Sequence, residues 1–502
     1  AKPVAFLPQT LVLLRRQCSH RVQTSECEGA PAFRKAFHVM IDIVIVAIYL
    51  VFILLVGLWT GGRPDNLEQY AVVGRSYGAF VIFATMSASF IGGGFSTGNA
   101  AKVFLFGIVN IIGLWGFSLK EILVARYIAP KFDRFPTAIS VGDIMATAYG
   151  KIGRVITGMC ALFLCAGIVG AQVGAMGIVF NVFYGMDRLW GIGLGCGIVI
   201  LYTTLGGMRA VVVTDLFQFG VLAIGMPLVL IFGVNYVGGL DALIATVPPD
   251  HIAVPSGHFT WVQLIALFLV FMFGETLVPP YVQRLCIGKS AKEAARGTFY
   301  SGLFSIPFFA VTGLIGLVAL SMDPTLDSNL AMTHVVVTVL PPVLEGLVIA
   351  AVISIVMSSA DSFLNSASIA FINDVVQPLR SEPLPARHSL LLAKAVTFTV
   401  GVLSIIFALA IEGILDILIY AYTYWAPVVL VPLIATIYGY RKGVSGFVAG
   451  ALAGIFAAMF WDNVLDQPGG IAGLVIGVFA NLLVFSLMPE ARVFTSDSTR
   501  LE

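Results

Sequence analysis

Residues 357–366 place an unusual number of side-chain oxygens in an apolar stretch, which reads Met-Ser-Ser-Ala-Asp-Ser-Phe-Leu-Asn-Ser. Ser358 and Ser362 are four residues apart, so they share one face of a helix, and Asp361 adds a carboxylate. Hydroxyl, carbonyl and carboxylate oxygens are the ligands that small, hard cations prefer. The stretch therefore predicts a cation site; hydrogen bonding between neighbouring helices is the structural alternative.

A second unusual stretch, residues 87–99, contains three consecutive glycines, Gly92, Gly93 and Gly94, followed by Phe, Ser, Thr, Gly and Asn. Glycine weakens a helix by about 1 kcal/mol relative to alanine. Transporters use such interruptions to free backbone groups for ions and substrate. The alternative is a close helix crossing lined by small residues.

The third stretch, residues 274–281, combines an ionisable side chain with a helix-breaking pair. Pro279 and Pro280 remove two amide donors and predict a bend. Glu275 is costly inside a membrane, so it either lines a cavity, pairs with a cation or serves as a structural partner for a neighbouring helix. Asp215, about one turn inside another apolar run, is a candidate second carboxylate or a residue at a helix end.

Composition indicates a membrane protein. The chain has 502 residues, of which 59% are hydrophobic and 11% charged, whereas soluble domains have about 25% charged residues. Apolar runs of roughly 20 residues, the length that spans a bilayer as a helix, recur along the chain. The fold class is therefore all-α and polytopic, in contact with a lipid bilayer. The net charge of +1 favours no nucleic-acid partner.

The apolar runs predict about thirteen transmembrane helices. They lie near residues 39–59, 78–100, 103–127, 155–184, 188–205, 210–237, 259–284, 298–321, 343–375, 389–411, 413–438, 444–461 and 470–488. The interrupted spans, the second and the seventh, are five spans apart. This spacing predicts two inverted five-helix repeats, near 78–237 and 259–438, with a binding site at the midplane.

The distribution of basic residues predicts the orientation. Nineteen Lys and Arg residues lie in or beside the loops after odd-numbered spans and in the C-terminal tail, and two, Lys102 and Arg188, follow even-numbered spans. Basic residues favour the cytoplasmic side. We therefore expect the N-terminus outside, the C-terminus in the cytoplasm, and a location in the plasma (inner) membrane. The six basic residues among the first 39 oppose this orientation.

Residues 40–488 are expected to form the transporter domain. Residues 1–39 form an atypical polar leader that we expect to lie outside the fold, with a signal or transit segment as the alternative. Residues 489–502 are expected to form a cytoplasmic tail. The sequence has no Ser/His/Asp set, His-rich metal site or Gly-rich phosphate loop at a usable spacing, so an enzyme is the least favoured class.

Five further motifs carry a family resemblance. They are Tyr-Ala-Val-Val-Gly-Arg-Ser at 70–76, Tyr-Thr-Thr-Leu-Gly-Gly at 202–207, Thr-Asp-x-x-Gln at 214–218, Tyr-x-Gln-Arg at 281–284, and the 358–366 stretch. In this order they make the chain similar to the sodium:solute symporter family over nearly its whole length after residue 40. Residues 85–95 and 357–362 look most like the branch that contains the high-affinity choline transporters.

The resemblance implies a LeuT-type core and bound Na⁺. The first sodium site would lie between the second and ninth spans. Its ligands would be three backbone carbonyls and two hydroxyls, those of Ala88, Ile91, Ile355, Ser358 and Ser359. A second sodium site, present in some members, would match Asp215, Asp361 and Ser362.

The resemblance leaves the solute open among zwitterions, carboxylates and amines. Aromatic cages recognise quaternary ammonium groups. Relative to the choline-transporter pattern, two positions of such a cage keep aromatic residues, Phe90 and Phe117, and the other two positions fall on Ile168 and Val278. Lys120, Glu121 and Glu275 suit a zwitterion or a carboxylate better than a bare cation. The predicted substrate site consists of Phe90, Gly93, Phe95, Phe117, Lys120, Glu275 and Val278.

These observations together predict a secondary active transporter that carries a small organic solute with Na⁺ by alternating access. The partners would be the solute, sodium ions and the lipid bilayer. One alternative is a proton-coupled or uncoupled transporter or channel, because Asp215, Asp361 or Glu275 could exchange protons. The other is a transporter-like membrane sensor of a solute.

Overall fold

The computed structural model describes residues 29–62, 64–257, 259–410, 421–423, 425–440 and 442–490. Within these ranges the secondary structure is helical, apart from an isolated parallel bridge between Tyr77 and Gly288. Most of the predicted leader and most of the predicted tail lie outside the described residues. The first helix within the described residues is Gly29–Thr60, so it includes the end of the predicted leader.

The helices are α1 (Gly29–Thr60), α2 (Leu67–Val72), α3 (Ala79–Phe90), α4 (Thr97–Phe106), α5 (Val109–Leu123), α6 (Val141–Tyr184), α7 (Arg188–Tyr236), α8 (Leu240–Thr246), α9 (Pro249–Ile252), α10 (Trp261–Gly274), α11 (Pro279–Cys286), α12 (Ala291–Met322), α13 (Ala331–Val339), α14 (Leu344–Ile369), α15 (Gln377–Leu379), α16 (Ala386–Ala410), α17 (Val431–Tyr438), α18 (Gly443–Asn463) and α19 (Gly473–Leu487). Segments of π-helix are Val124–Ile128, Ala370–Val376 and Ala426–Leu430, and segments of 3₁₀-helix are Ala129–Arg134, Ser328–Leu330 and Pro468–Gly470.

Eight helices in the described ranges are long and apolar enough to cross a membrane, and the bent pair of α10 and α11 brings the number to nine. The predicted number of thirteen spans remains a prediction. Helix breaks account for the difference between the thirteen predicted spans and the eight or nine helices of spanning length in the described ranges. The 49-residue helix α7 counts once although it is broken in its middle, and short apolar helices such as α3 and α19 do not reach the spanning length.

Glycine breaks two of the long helices. Gly150 in α6 and Gly207 in α7 have the same backbone angles, a φ of 59° and a ψ of −150°. Residues with a side chain rarely adopt this conformation, whereas glycine adopts it readily. The break at Gly207 divides α7 into two arms, which correspond to the predicted spans at 188–205 and 210–237.

The two predicted interruptions are both present. Helix α3 ends at Phe90 and α4 begins at Thr97, so the glycine run lies between two short helices. Helices α10 and α11 meet at an angle of 52° across a break of four residues. Proline residues occupy the first two positions of α11, where their missing amide donors cost nothing.

Helix α14 lies at the centre of the molecule. In the segment Leu344–Leu379, 94% of the most apolar part is buried inside the protein, against 28% for Met40–Thr60. Helix α14 packs on α7, α6, α1 and α16, and the end of α3 lies against its middle. The outer helices expose large apolar side chains, such as Ile48 and Phe456, which is typical of a surface in contact with lipid.

Candidate functional site

The predicted ligands of the first sodium site meet where α3 ends against α14. The Ser358 hydroxyl lies 2.8 Å from the Ala88 carbonyl oxygen and 3.3 Å from the Ile355 carbonyl oxygen. The Ser359 hydroxyl donates to the Ser89 carbonyl at 2.8 Å. All five residues are buried. The two hydroxyls and the carbonyls therefore form a compact group of hard oxygen donors, the set that a small cation requires.

Ile91, the remaining predicted ligand of this site, marks the point where α3 unwinds. Its amide still donates to the Ser87 carbonyl at 3.3 Å, but its ψ of 72° has left the helical range. A carbonyl just beyond the last helical residue no longer points along the helix axis. Ile91 thus lies at the edge of the break, two residues after Ser89, whose carbonyl contacts Ser359.

The break continues through Gly92, which has no room for a side chain, and Gly93, where a side chain would be tightly packed. A Cβ on Gly92 would lie 2.9 Å from the Ser359 hydroxyl oxygen and 2.8 Å from the Gln172 side-chain nitrogen. The Gln172 side-chain oxygen accepts a hydrogen bond from the Gly93 amide at 3.0 Å. Gln172 of α6 therefore holds the unwound segment in place. The sequence interpretation missed this residue, because one glutamine in a helix carries no local signal.

The predicted residues of the second sodium site also lie together, but Arg284 joins them. An Arg284 Nη atom lies 2.9 Å from an Asp215 carboxylate oxygen and donates to the Ser362 hydroxyl at 2.6 Å. The Ser362 hydroxyl lies 3.1 Å from an Asp361 carboxylate oxygen. The other Asp361 oxygen accepts from the Tyr202 hydroxyl at 2.6 Å. A guanidinium thus contacts two of the three predicted ligands.

Arg284 makes further hydrogen bonds in this cluster. Its Nε atom lies 3.2 Å from both the carbonyl and the hydroxyl oxygen of Thr85, and an Nη atom donates to the Pro280 carbonyl at 3.1 Å. Both Arg284 and Asp215 are fully buried. One guanidinium and two carboxylates, Asp215 and Asp361, give the cluster a formal charge of −1. One proton or one monovalent cation would balance this charge.

Two of the predicted substrate residues, Phe117 and Lys120, lie on α5 beside the second break. The Lys120 ammonium lies 3.8 Å from the centre of the Phe117 ring and 4.5 Å from that of the Tyr281 ring. It also forms an ion pair with Glu121 at 2.6 Å and donates to the Glu275 carbonyl at 3.0 Å. This buried lysine is therefore surrounded by two ring faces and two oxygen acceptors.

Glu275 connects this break to the segment at 421–438. Its carboxylate accepts hydrogen bonds from the Tyr281 and Tyr422 hydroxyls. Trp425 donates to the carbonyl of Thr276, the next residue in the break, at 3.1 Å. The sequence interpretation assigned no role to Tyr422. Val278 is fully buried in extended conformation immediately before α11, so it shapes the break.

A cavity of about 210 Å³ lies between the two breaks. Its lining combines aromatic rings with a few polar groups, among them Phe90, Phe95, Gln172, Glu275 and Ser359. Among the described residues, Phe117, Lys120 and Val278 are not part of this lining. Gly93 lines a neighbouring cavity of about 710 Å³, together with Lys102 and Arg188. Apolar walls with a few converging polar groups are typical of a site for a small molecule.

Comparison with known families gives one extensive match. The profile of the sodium:solute symporter family matches residues 70–454. The match includes the glycine run, the Glu275 break and the serine-rich helix α14. It therefore covers all of the predicted site.

Individual relatives are distant and differ in the solute they are named for. The chain is 26% identical to the high-affinity choline transporter 1 of Drosophila melanogaster over 74% of this chain, but spans 62% of that protein's length. It is 25% identical to sodium/glucose cotransporter 4 of Danio rerio, over 88% of this chain and 72% of the relative. The high-affinity proline transporter PutP of Bacillus subtilis is 24% identical, over 85% and 94% respectively.

Among solved structures, the chain matches a Na⁺-coupled sialic acid symporter in a substrate-bound, outward-open state. The TM-score is 0.80, and the match covers 90% of this chain and 98% of that one. The sequences are 22% identical, a level at which the likeness concerns the fold. The helix breaks described above therefore belong to a fold that is also found in that symporter.

Proposed function

Because the chain belongs to the sodium:solute symporter family, we propose that it carries a small organic solute across the membrane together with Na⁺, by alternating access. Over the described residues its architecture is helical and of the LeuT type. The two inverted five-helix repeats are part of the proposal. The protein is integral to a membrane, and we place it in the plasma membrane with its C-terminus in the cytoplasm. The observation that carries the proposal is the contact between the unwound end of α3 and the serine pair of α14.

The coupling ion would bind at this contact. Ser358 and Ser359 would turn their hydroxyl lone pairs to Na⁺, joined by the carbonyls of Ala88, Ile91 and Ile355. A ligand stabilises the conformation that it binds more tightly, by the difference between its binding free energies for the two conformations. An ion shared by α3 and α14 would therefore favour the conformation in which these helices touch.

The solute would bind in the cavity between the two breaks. Phe90 and Phe95 would face it from the first break and Glu275 from the second, with Phe117, Lys120 and Val278 supporting this wall. Gly93 would face the neighbouring cavity. One positive charge moving inward across about 100 mV contributes roughly 2.3 kcal/mol. The sodium concentration gradient would add to this amount.

Proton coupling is a second candidate mechanism, favoured by the buried cluster around Arg284. Its formal charge of −1 can be neutralised by a proton on Asp361 as well as by Na⁺ bound with Asp215 and Ser362. Transport in a pH gradient without sodium would favour the proton. Transport that requires sodium at constant pH would favour the metal ion.

The test is the thermal stability of the purified protein in NaCl against KCl at equal ionic strength. A ligand bound only to the folded state at 100 times its Kd adds about 2.7 kcal/mol of stability. We expect a sodium-specific rise in Tm for the wild type and its loss in Ser359→Ala. The matched control is Ser368→Ala, nine residues further along the same helix, whose hydroxyl lies 2.8 Å from the Asn365 carbonyl oxygen. Equal sodium effects in both variants would refute the proposed site.

A further inference from the structure

The Lys120 ammonium lies in surroundings that match an organic cation. Two aromatic faces, those of Phe117 and Tyr281, lie 3.8 and 4.5 Å from its nitrogen. Its nitrogen forms an ion pair with the Glu121 carboxylate at 2.6 Å and donates to the backbone carbonyl of Glu275 at 3.0 Å. Lys120 itself is 2% exposed. Ring faces attract cations most strongly when water is excluded, and quaternary ammonium groups are recognised in the same way.

In this protein the cation in these surroundings is the side-chain ammonium of Lys120, which is part of the chain itself. We infer that Lys120 fills the place of a substrate's ammonium group, an assignment that rests on the transport function proposed above, so that the protein selects a neutral or carboxylate-bearing solute. Lys120 is thus a specificity-determining residue. Its ammonium contacts the two rings, the Glu121 carboxylate and the Glu275 carbonyl before any solute arrives.

The position of Lys120 relative to the cavity supports this role. Phe117 lies 4.7 Å from Phe90 and 5.4 Å from Phe95, ring centre to ring centre, and both of these residues line the cavity. Glu275 also lines it, but its carboxylate oxygens accept hydrogen bonds from two tyrosine hydroxyls. The ammonium therefore lies one layer behind the cavity wall, where an incoming cation would find its partners already engaged.

The larger neighbouring cavity also disfavours a positively charged solute. Lys102 and Arg188, the two basic residues that follow even-numbered spans, both line it. Asp327 is the acidic residue of this lining, so the side chains give a net charge of +1. A concave surface with a net charge concentrates ligands of the opposite sign. This cavity would thus favour anionic solutes over organic cations.

Removing the Lys120 amine should reverse the selectivity. Lys120→Ala would leave two ring faces, the Glu121 carboxylate and the Glu275 carbonyl around a space vacated by three methylene groups and an ammonium. Tetramethylammonium has the charge and approximate shape of the missing group. Lys120→Gln removes the charge with less loss of volume, and Lys120→Arg keeps the charge.

The experiment measures the Tm of purified wild type and variants in tetramethylammonium chloride against KCl, with NaCl as a separate arm. We expect at least tenfold tighter tetramethylammonium binding in Lys120→Ala or Lys120→Gln than in the wild type. Lys120→Arg and Lys292→Ala, which removes an exposed lysine, should behave as the wild type.

Two results would overturn the assignment. One is tight tetramethylammonium binding by the wild type, which needs no variant to fold. The other is the absence of any gain in both uncharged variants when they are folded. The NaCl arm reports on the sodium site independently, so loss of the sodium effect in the wild type would count against the transport proposal and not against the role of Lys120.

Discussion

Arg284 of α11 joins its own helix to three others. Its guanidinium contacts Thr85 of α3, Asp215 of α7, Pro280 of α11 and Ser362 of α14. A buried ion pair has a large desolvation cost, and its net contribution to stability is often small. Removing only one partner is different, because the other charge then stays buried without compensation.

We therefore expect Arg284→Met to lower the free energy of unfolding by about 3–5 kcal/mol. The double variant Arg284→Met/Asp215→Asn should recover much of this loss, because it leaves no unpaired carboxylate at Asp215. Arg296→Met, which removes a partly exposed pair with Glu293 at 3.4 Å, should change stability by less than about 1 kcal/mol.

Denaturant titration in detergent micelles would measure these differences in a double-mutant cycle. Additive effects of the two substitutions would show that Arg284 and Asp215 do not act as a pair.

Gly92 gives a second prediction at the residue scale. Its Cβ would lie within 3 Å of both Gln172 and Ser359, so Gly92→Ala must displace the unwound segment or the serine. We expect a sodium affinity at least tenfold weaker, measured as the NaCl dependence of Tm. Gly220→Ala is the control, since nothing lies within 4 Å of its Cβ position in α7. An unchanged sodium affinity in Gly92→Ala would argue that the ion does not bind at this break.

At the scale of elements, Gly150 and Gly207 form a natural pair for comparison. Both have a φ of 59° and a ψ of −150°, but their surroundings differ. Nothing lies within 4 Å of a Cβ on Gly150, whereas a Cβ on Gly207 would lie 2.5 Å from the Tyr70 ring. A side chain at Gly150 would therefore cause backbone strain alone, whereas one at Gly207 would cause the same strain and also a steric clash.

Gly150→Ala should lower the free energy of unfolding by about 1–3 kcal/mol through backbone strain alone. Gly207→Ala should lower it by a further 1–3 kcal/mol, because the Tyr70 ring must move. Denaturant titration of the two variants would measure the difference. Equal losses would mean that Tyr70 relaxes without cost.

Several elements were predictable from local sequence because their signals are local. The glycine run and the Pro279–Pro280 pair break helices wherever they occur, so both interruptions were found. The break at Gly207 separates the two arms of α7, and it coincides with the gap between two predicted spans. The early start of α6 at Val141 was missed, since its first turns are amphipathic rather than apolar.

The residues of the site likewise fall into those that local sequence predicts and those that it does not. The serine pair and the carboxylates of α14 were predictable, because polar groups stand out in an apolar helix. The roles of Gln172, Tyr422 and Arg284 depend on contacts between distant helices, which no local pattern contains. Arg284 even contributed to the basic excess that predicts the cytoplasmic side, although the structure buries it completely.

At the scale of the whole molecule, the predicted orientation can be tested with single cysteines. The background would have its own cysteines replaced by serine. Asp250→Cys lies in the short helix α9, in the segment before α10 that is predicted to face outward. Lys289→Cys lies in the loop after α11, which is predicted to face the cytoplasm. Both native residues are exposed.

A membrane-impermeant maleimide added to intact cells should label Asp250→Cys and spare Lys289→Cys. Permeabilised cells should show labelling of both, which controls for reactivity. Labelling of Lys289→Cys alone in intact cells would invert the proposed topology.

The buried arginine also has a consequence for how the chain is made. An arginine at the centre of a lone helix costs roughly 2.5–3.5 kcal/mol to insert into a membrane. Its partners Thr85 and Asp215 precede it in the chain, so they leave the ribosome before Arg284 does. Ser362 follows, and its helix completes the enclosure. The short helix α11 would therefore complete its insertion late, held near the membrane surface until earlier helices offer it a carboxylate and later ones seal it in.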